Sequence, residues 1–376
     1  MSDTKLKILF TGTSYPADGK DWRGRFTANM IQSLSKHHNL SIGTWLPPGK
    51  LPESIKILST KKEAEWLKDL MIRGGIAHIL RTRGILSANS VIKLLVYLRS
   101  VYKREANNMD IMHVNWLQNA IPLWGTSTPA VISVLGSDFG LLKIPGMKFI
   151  LRSVIRQRKC VITPNADWMV PSLNKSFGDI AEIRPVPYGV DKKWFNIKKN
   201  PEKGKTTKWI AVTRLTEKKL GPLFTWGKEL FEKNNELHLF GPMQETLTLP
   251  EWVVYHGPAS PDELWGKWFP LCSGLITLSQ HDEGRPQVML EAMAAGLPII
   301  ASNMPAHLDI IKHGLSGWIV SNPQDLKDAI SFFDNRETVN RVGESARSWV
   351  LKNVGTWDDC AGRYITAYQD LLGRNG

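Results

Sequence analysis

Glu283 and Glu291, with seven residues between them, are the carboxylates whose setting points most directly to chemistry. They lie in EGRPQVMLEAMAAGLPII, residues 283–300, where a polar turn runs into a helical block and then into a short apolar strand. His281-Asp282-Glu283-Gly284-Arg285-Pro286 is turn chemistry, because Gly permits unusual backbone angles and Pro fixes φ at a helix start without wasting an amide donor. The helix is expected at or just after Pro286. Val288, Met289, Ala292, Met293 and Ala295 give it a broad apolar stripe, and Gly296 stops it before Pro298. Glu283 then sits in the turn and Glu291 well inside the helix. A helix N-terminus attracts anions, so a phosphate there would lie between two carboxylates that can each reach neutral hydroxyls. Taken as bare residues, the same two side chains are equally ordinary charges at a helix end.

These residues need a scaffold. A chain of 376 residues exceeds one ordinary core, and two domains are expected. A hydrophobic content of 42% with 22% charged residues belongs to an ordered globular protein. Cys160, Cys272 and Cys360 are widely spaced, which argues against a disulfide framework or a cysteine-built zinc site and fits a reducing compartment. The opening MSDTKLKILFTGTSYP holds only a short apolar run, so no signal peptide is expected, and no membrane span stands out. A net charge of +13 admits an anionic partner: nucleic acid, an acidic membrane surface or a phosphate-bearing substrate.

Apolar runs supply the sheets. Leu6–Thr11, ended by Gly12, reads as a buried parallel strand; a turn through Trp22-Arg23-Gly24-Arg25 then leads into a helix over 26–35. The spacing is not GxGxxG, so this strand, loop and helix open a Rossmann-like sheet without a dinucleotide site. Residues 110–116, 130–138 and 161–165 read as further strand-to-loop units, with His113 expected to be structural. Polar residues 192–207 read as an interdomain linker. A new series follows, with strands at 209–213, 237–242, 253–257 and 274–279, and Trp357–Leu372 has helical periodicity. Two segments are basic and interleaved with apolar residues. Residues 61–104 carry ten Lys or Arg against three acidic residues, and 143–159 carry six against none. They suit the headgroup layer of an anionic membrane, with Arg81, Arg83, Arg99, Lys103 and Arg104 among the contacts; they equally suit ordinary domain helices with a core face.

The stretch EGRPQVMLEAMAAGLPIIAS resembles the Glu-x7-Glu segment of the retaining GT-B glycosyltransferases, glycosyltransferase family 4 (glycosyl transferases group 1) in particular. SGLITLSQHDEG before it and DIIKHGLSGWIV after it resemble the family's flanking strands. The resemblance implies that Glu283 meets the donor sugar and Glu291 the nucleotide ribose, with Gly284, Arg285, Pro286 and Gln287 as donor-binding neighbours. Arg214 and Lys219 keep the offset of the family's Gly-Arg-Leu…Lys-Gly segment, whose cations neutralise the donor diphosphate. Here Thr213 replaces the first Gly, and Leu220 replaces the second, with Gly221 one place later. AVISVLGSD, residues 130–138, resembles a strand ending in a His-Gly-x-Asp-like turn, with Leu135 where the family has His. The sugar contact then falls to Gly136, Ser137 or Asp138, and Asp138 is the donor-binding candidate. VPYGVD at 186–191 resembles the family's turn before the linker. In the first loop, the resemblance makes Gly12, Arg23 and Gly24 acceptor contacts; a mobile surface loop is the alternative.

The implied fold is α/β of GT-B type: two Rossmann-like βαβ domains facing each other across a cleft, with the C-terminal helix crossing back to the first. The acceptor-binding domain is expected over 1–190 with helix 358–376, and the nucleotide-sugar-binding domain over 205–357. The implied activity is a retaining, metal-independent hexosyltransferase with Glu283, Arg214 and Lys219 as its catalytic group and no cofactor. Its partners would be a nucleoside-diphosphate sugar, a glycan or lipid-linked glycan and an anionic membrane surface, without nucleic acid. The expected setting is bacterial cell-surface polysaccharide or glycolipid synthesis, in the cytoplasm at the inner face of the cell membrane. Two alternatives are another GT-B reaction, such as nucleotide-sugar 2-epimerisation, and a non-enzymatic basic protein that binds membranes or nucleic acid.

Overall fold

The computed structural model describes residues 5–19, 21–76, 79, 88–200, 206–231 and 234–373. It divides into two compact units, Met1–Pro187 with Trp357–Gly376, and Tyr188–Thr356.

The first unit is built on seven strands: β1 (Leu6–Thr11), β2 (Leu40–Trp45), β3 (Lys56–Ile57), β4 (Ile111–Asn115), β5 (Ala130–Val134), β6 (Cys160–Pro164) and β7 (Glu182–Ile183). All pairs are parallel, in the order β3-β2-β1-β4-β5-β6-β7, with Leu6 opposite Leu40 and Ile8 opposite Ile111. Parallel strands are covered on both faces, and β4, β5 and β6 are accordingly buried at every position. The covering helices are α1 (Arg25–Leu34), α2 (Lys61–Ile72), α3 (Ala88–Glu105), α4 (Met147–Ile155) and α5 (Val170–Phe177). The C-terminal helix, Trp357–Leu372, also belongs to this unit and packs against α1. It is anchored by its tyrosines: Tyr364 Oη lies 2.8 Å from Ser133 Oγ, and Tyr368 Oη lies 2.5 Å from His113 Nδ1. His113 is fully buried inside β4, and burial pushes its imidazole down to about 3. A neutral, doubly bonded histidine of this kind is a structural one, as its sequence setting suggested.

The second unit has six parallel strands: β8 (Thr207–Val212), β9 (Asn235–Phe240), β10 (Val253–Tyr255), β11 (Gly274–Thr277), β12 (Ile299–Ser302) and β13 (Gly317–Val320). Their order is β10-β9-β8-β11-β12-β13. The helices used below are α6 (Lys192–Phe195), α7 (Glu217–Leu220), α8 (Leu223–Gly227), α9 (Gln287–Ala294), α10 (Pro305–Leu308), α11 (Pro323–Phe332) and α12 (Arg336–Asn353). The unit already begins at Tyr188, and Val190, Trp194 and Ile197 are part of its core. Residues 188–197, which the sequence divides between the first domain and a linker, are therefore packed structure: α6 buries Trp194 against Phe269.

Candidate functional site

In the second sheet the strand order reverses between β8 and β11, which lie side by side while their successors run to opposite edges. Open α/β sheets bind ligands in the crevice beyond the carboxyl ends of such a pair. The loop leaving β8 carries Arg214 and the short α7 with Lys219; the loop leaving β11 carries Ser279, His281 and Glu283. Thr216 caps α7, its hydroxyl accepting from the Lys219 amide at 3.3 Å. Gly221 then turns the chain at φ +54, where a Cβ would stand 2.0 Å from the Leu278 carbonyl oxygen. Gly one place later than the family pattern thus serves close packing of the two loops. Leu220, in the family's Gly position, is buried core.

Lys219 Nζ donates to Glu283 Oε1, and the Ser279 hydroxyl donates to the same oxygen at 3.3 Å. Both ends of the ion pair are largely withdrawn from water, with side chains 12% and 19% exposed. Burial by itself would raise the Glu283 carboxyl, but the Lys219 charge and hydrogen bond, helped by His307 and His281, outweigh it and hold it below its ordinary value. Burial lowers the Lys219 ammonium against the pull of Glu283, and the nearby Arg214 charge lowers it further. Arg214 itself is half-buried, with Nη1 3.5 Å from Gln244 Oε1.

Behind this pair stand groups that the sequence did not single out. Ser302 Oγ donates to the Ser279 carbonyl at 2.6 Å, and His307 Nδ1 donates to the Ser302 carbonyl at 2.9 Å. The Ser279 hydroxyl also accepts from the His281 amide at 3.2 Å. His281 Nδ1 is buried without a hydrogen-bond partner, and burial, then the Lys219 charge, lower that ring. His281 was within reach of sequence reasoning, two residues before Glu283. His307 was not, since only the β11–β12 pairing brings its segment back to the site.

Helix α9 begins one residue after Pro286, which adopts φ −63, ψ 116, and no side chain caps it. At its other end Gly296 turns at φ +74 while Arg347 Nη2 donates to the Ala295 carbonyl at 3.0 Å. Among the donor-binding candidates, Glu291 is half-buried on α9 and Gly284 is buried in the turn. Two others are committed to the fold. The Arg285 guanidinium pairs with Asp309, Nε at 3.1 Å from Oδ2, with both side chains almost fully buried, and Gln287 Nε2 donates to the Gly189 carbonyl at 2.9 Å.

The remaining candidates lie in the first unit, where the order reverses between β1 and β4. Gly12 follows β1, and a Cβ there would be 3.1 Å from Leu46 and 3.4 Å from the Trp116 ring. Gly24 caps α1 at φ +67, where a Cβ would lie 2.5 Å from the Ser14 backbone. Arg23 is held by Asp21, Nε to Oδ1 at 2.9 Å, and by the Met71 carbonyl at 2.6 Å. Asp138 is buried, and its two oxygens accept the amides of Leu117 and Leu135, each at 2.8 Å. That carboxylate organises its own loop, which leaves exposed Ser137 as the reachable side chain beside Leu135. Trp116, after β4, is the only non-glycine residue at positive φ among the described residues, at +67, and its ring meets Phe26 edge-on.

Much of the basic charge foreseen for a membrane is spent internally. Arg99 donates to the Pro122 and Trp124 carbonyls, and Arg104 to the Leu58 carbonyl and Glu63. Arg152 pairs with Asp179, and Arg158 donates to the Leu123 carbonyl and the Thr126 hydroxyl. Lys103 is exposed, while Arg81 and Arg83 lie outside the described residues. Among the described residues no helix is long and apolar enough to cross a membrane.

Residues 192–349 match the family described as Glycosyl transferases group 1. The matched stretch contains Arg214, Lys219, Glu283 and Glu291 together. Spore coat protein SA of Bacillus subtilis is 27% identical over 154 residues, 40% of this chain and 39% of that protein, so the chain spans well under half of that relative's length. The GDP-mannose-dependent alpha-(1-6)-phosphatidylinositol monomannoside mannosyltransferase of Mycobacterium tuberculosis is 24% identical over 259 residues, 61% of this chain and 67% of that protein. Solved structures of similar fold include the sucrose-phosphate synthase of Thermosynechococcus elongatus, with a TM-score of 0.72 at 12% identity over 98% of this chain and 100% of that one. Anabaena HepE, solved with UDP and glucose, has a TM-score of 0.65 at 14% identity over 97% and 100%. Two Rossmann-like units of this kind are the GT-B fold.

Proposed function

We propose that the chain is a retaining glycosyltransferase that moves a hexose-type unit from a nucleoside-diphosphate sugar to a hydroxyl of a glycan or lipid-linked glycan. The observation that carries this reading is the convergence of Arg214, Lys219 and Glu283 at the reversal point of the second sheet, inside the group 1 domain. A guanidinium and an ammonium suit a departing diphosphate, whose charge grows as the bond to the sugar breaks. A carboxylate kept ionised suits sugar hydroxyls, which it orients by accepting their protons in hydrogen bonds. Glu291 is assigned to the ribose. In the reaction, the bond from the anomeric carbon to the diphosphate oxygen breaks, and the acceptor oxygen bonds to that carbon on the same face. The acceptor's proton passes to the departing phosphate. Arg214, Lys219 and the start of α9 carry the diphosphate charge, so the proposed reaction needs no divalent metal and no cofactor.

The proposed setting is the synthesis of a bacterial surface polysaccharide or glycolipid, in the cytoplasm at the inner face of the membrane. The mannosyltransferase named above is described as acting on a phosphatidylinositol derivative, which supports a lipid-linked acceptor here. Its donor carries GDP, while HepE was solved with UDP, so a thermal-shift panel of UDP, GDP, ADP and CMP sugars is the deciding experiment. One class of nucleotide sugar should raise Tm clearly. No shift with any of them refutes the reading.

A further inference from the structure

We propose that the first unit carries a separate carbohydrate site, a groove at the amino-terminal end of its sheet that holds pyranose units of a glycan. Ligand crevices of such sheets lie beyond the carboxyl ends of the strands, whereas this groove opens where β5 begins. Its volume is about 470 Å³, within the range of small-molecule sites, and Lys103, Asn107, Thr126, Ser127 and Gln157 are among the residues that line it. None of them is a donor or acceptor candidate, so the site stands apart from the transfer reaction.

The loop that forms its wall is held from several sides. Arg99 of α3 donates to the Pro122 and Trp124 carbonyls, and Arg158 donates to the Leu123 carbonyl at 2.9 Å and the Thr126 hydroxyl at 2.8 Å. Gln157, two residues past α4, accepts the Gly125 amide at 2.6 Å, and the Thr128 hydroxyl donates to the Ala106 carbonyl at 2.9 Å. Gly125 turns the chain at φ +68, where a Cβ would stand 3.3 Å from the Arg99 guanidinium. Yet Trp124, within this frame, is 67% exposed. A tryptophan left in water on a fixed loop adds little to the core, and it offers a ligand a flat apolar face that needs no further ordering.

The lining chemistry names the ligand. Asn107 and Ser127 are exposed and bring neutral donors and acceptors, and Lys103 adds an exposed ammonium. The two guanidiniums behind the wall are engaged by carbonyls, so a polyanion meets one displayed cation in the lining instead of a cluster. A pyranose fits better. Its C–H groups form an apolar face for an indole, and its hydroxyls donate and accept around the rim.

The test is binding of the full chain, without donor, to an array of immobilised gluco-, galacto-, manno- and N-acetylhexosamine oligosaccharides. At least one class should bind, and calorimetry with the soluble oligosaccharide of that class should show Trp124→Ala weakening it about tenfold or more. Trp124→Tyr keeps an aromatic face and should retain most of the affinity. Asn107→Ala/Ser127→Ala should weaken binding roughly tenfold, at about threefold per lost neutral hydrogen bond. Tm and the nucleotide-sugar thermal shift should stay at wild-type values in these variants, whose altered side chains are exposed. No binding to any class overturns the proposal. Unchanged affinity in Trp124→Ala or in the double alanine variant also overturns it, because the glycan would then sit elsewhere on the chain. Glycan binding that is lost with Trp124, in a protein that no nucleotide sugar stabilises, would instead refute the transferase reading and leave the groove standing.

Discussion

Lys219→Met tests whether the pair at the centre of the site is ionised. The substitution keeps the length of the side chain and removes the ammonium, leaving Glu283 81% withdrawn from water, since its side chain is 19% exposed. An uncompensated buried charge of this kind costs about 3–5 kcal/mol. Glu283 has an escape, because it can bind a proton. At pH 7 that costs a carboxyl of ordinary affinity, pKa about 4.3, about 3.7 kcal/mol, which caps the damage. At about 2–4 °C per kcal/mol for a domain of this size, the variant should melt about 7–15 °C below wild type at pH 7.

The pH dependence is the discriminating part. In the wild type the Glu283 carboxyl is held below its ordinary value, so the stability it brings is complete above about pH 4.3 and fades only as pH falls through the lower folded value. In the variant the Lys219 charge and hydrogen bond are gone, and burial, opposed only by the smaller contributions of His307 and His281, raises the carboxyl, so the penalty shrinks by about 1.36 kcal/mol for each pH unit descended toward 4.3. At pH 5 roughly 1 kcal/mol should remain, and the gap in Tm should close to about 2–4 °C. Lys219→Met/Glu283→Gln removes both charges and should show a smaller gap that hardly changes with pH. Differential scanning fluorimetry from pH 5 to 7.5 reads the result. A Lys219→Met gap of equal size at pH 5 and pH 7 would refute an ionised pair.

Arg214→Ala and Glu291→Ala should each weaken nucleotide-sugar binding at least about tenfold, a loss of about 1.5–3 kcal/mol, measured by calorimetry with the donor found in the thermal-shift panel. Arg285→Met should behave differently: it takes the guanidinium away from the buried Asp309 carboxylate and should lower stability by about 3–5 kcal/mol, while donor affinity in the folded fraction stays at the wild-type value. Turnover should survive a chelator, since side chains and the start of α9 are assigned the diphosphate charge; loss of activity restored by magnesium or manganese would overturn that assignment.

The long apolar runs and the turn-to-helix punctuation were legible in the sequence because they are local. Leu6–Thr11 and Trp357–Leu372 have the bounds their patterns predict, and α9 starts one residue after its proline. LSIGTW forms β2 although polar residues and a glycine break its apolar run; Gly43 is there because a Cβ would meet Leu58 at 2.3 Å, a packing demand that no local pattern announces. The same limit applies to charges. Arg285 stands two residues after Glu283 in sequence and reads as a ligand, yet Asp309 reaches it from beyond β12 and pairs with its Nε and Nη2. Asp138 and Arg99 likewise found their partners, backbone amides and carbonyls, only once loops had been folded beside them.

The two sheets obey one topological rule and furnish it differently. Each reverses its order between its first strand and a later neighbour, β1 with β4 and β8 with β11. At the second reversal the loops deliver an ammonium, a guanidinium and a carboxylate, groups that answer a diphosphate and a hydroxylated ring. At the first they deliver Gly12, buried against Leu46 and Trp116, and a tryptophan held at φ +67. Such a backbone state costs a bulky residue on the order of 1–3 kcal/mol and persists only where its surroundings over-determine it. Here the buried Asp138 carboxylate does so, by fixing the amide of the next residue, Leu117. A loop of close backbone and aromatic surface, with its carboxylate turned inward, is suited to a neutral hydroxyl-bearing molecule and poorly suited to a polyanion. That difference between the two reversals is consistent with the proposed transfer, in which the second unit would take the charged donor and the first a neutral acceptor.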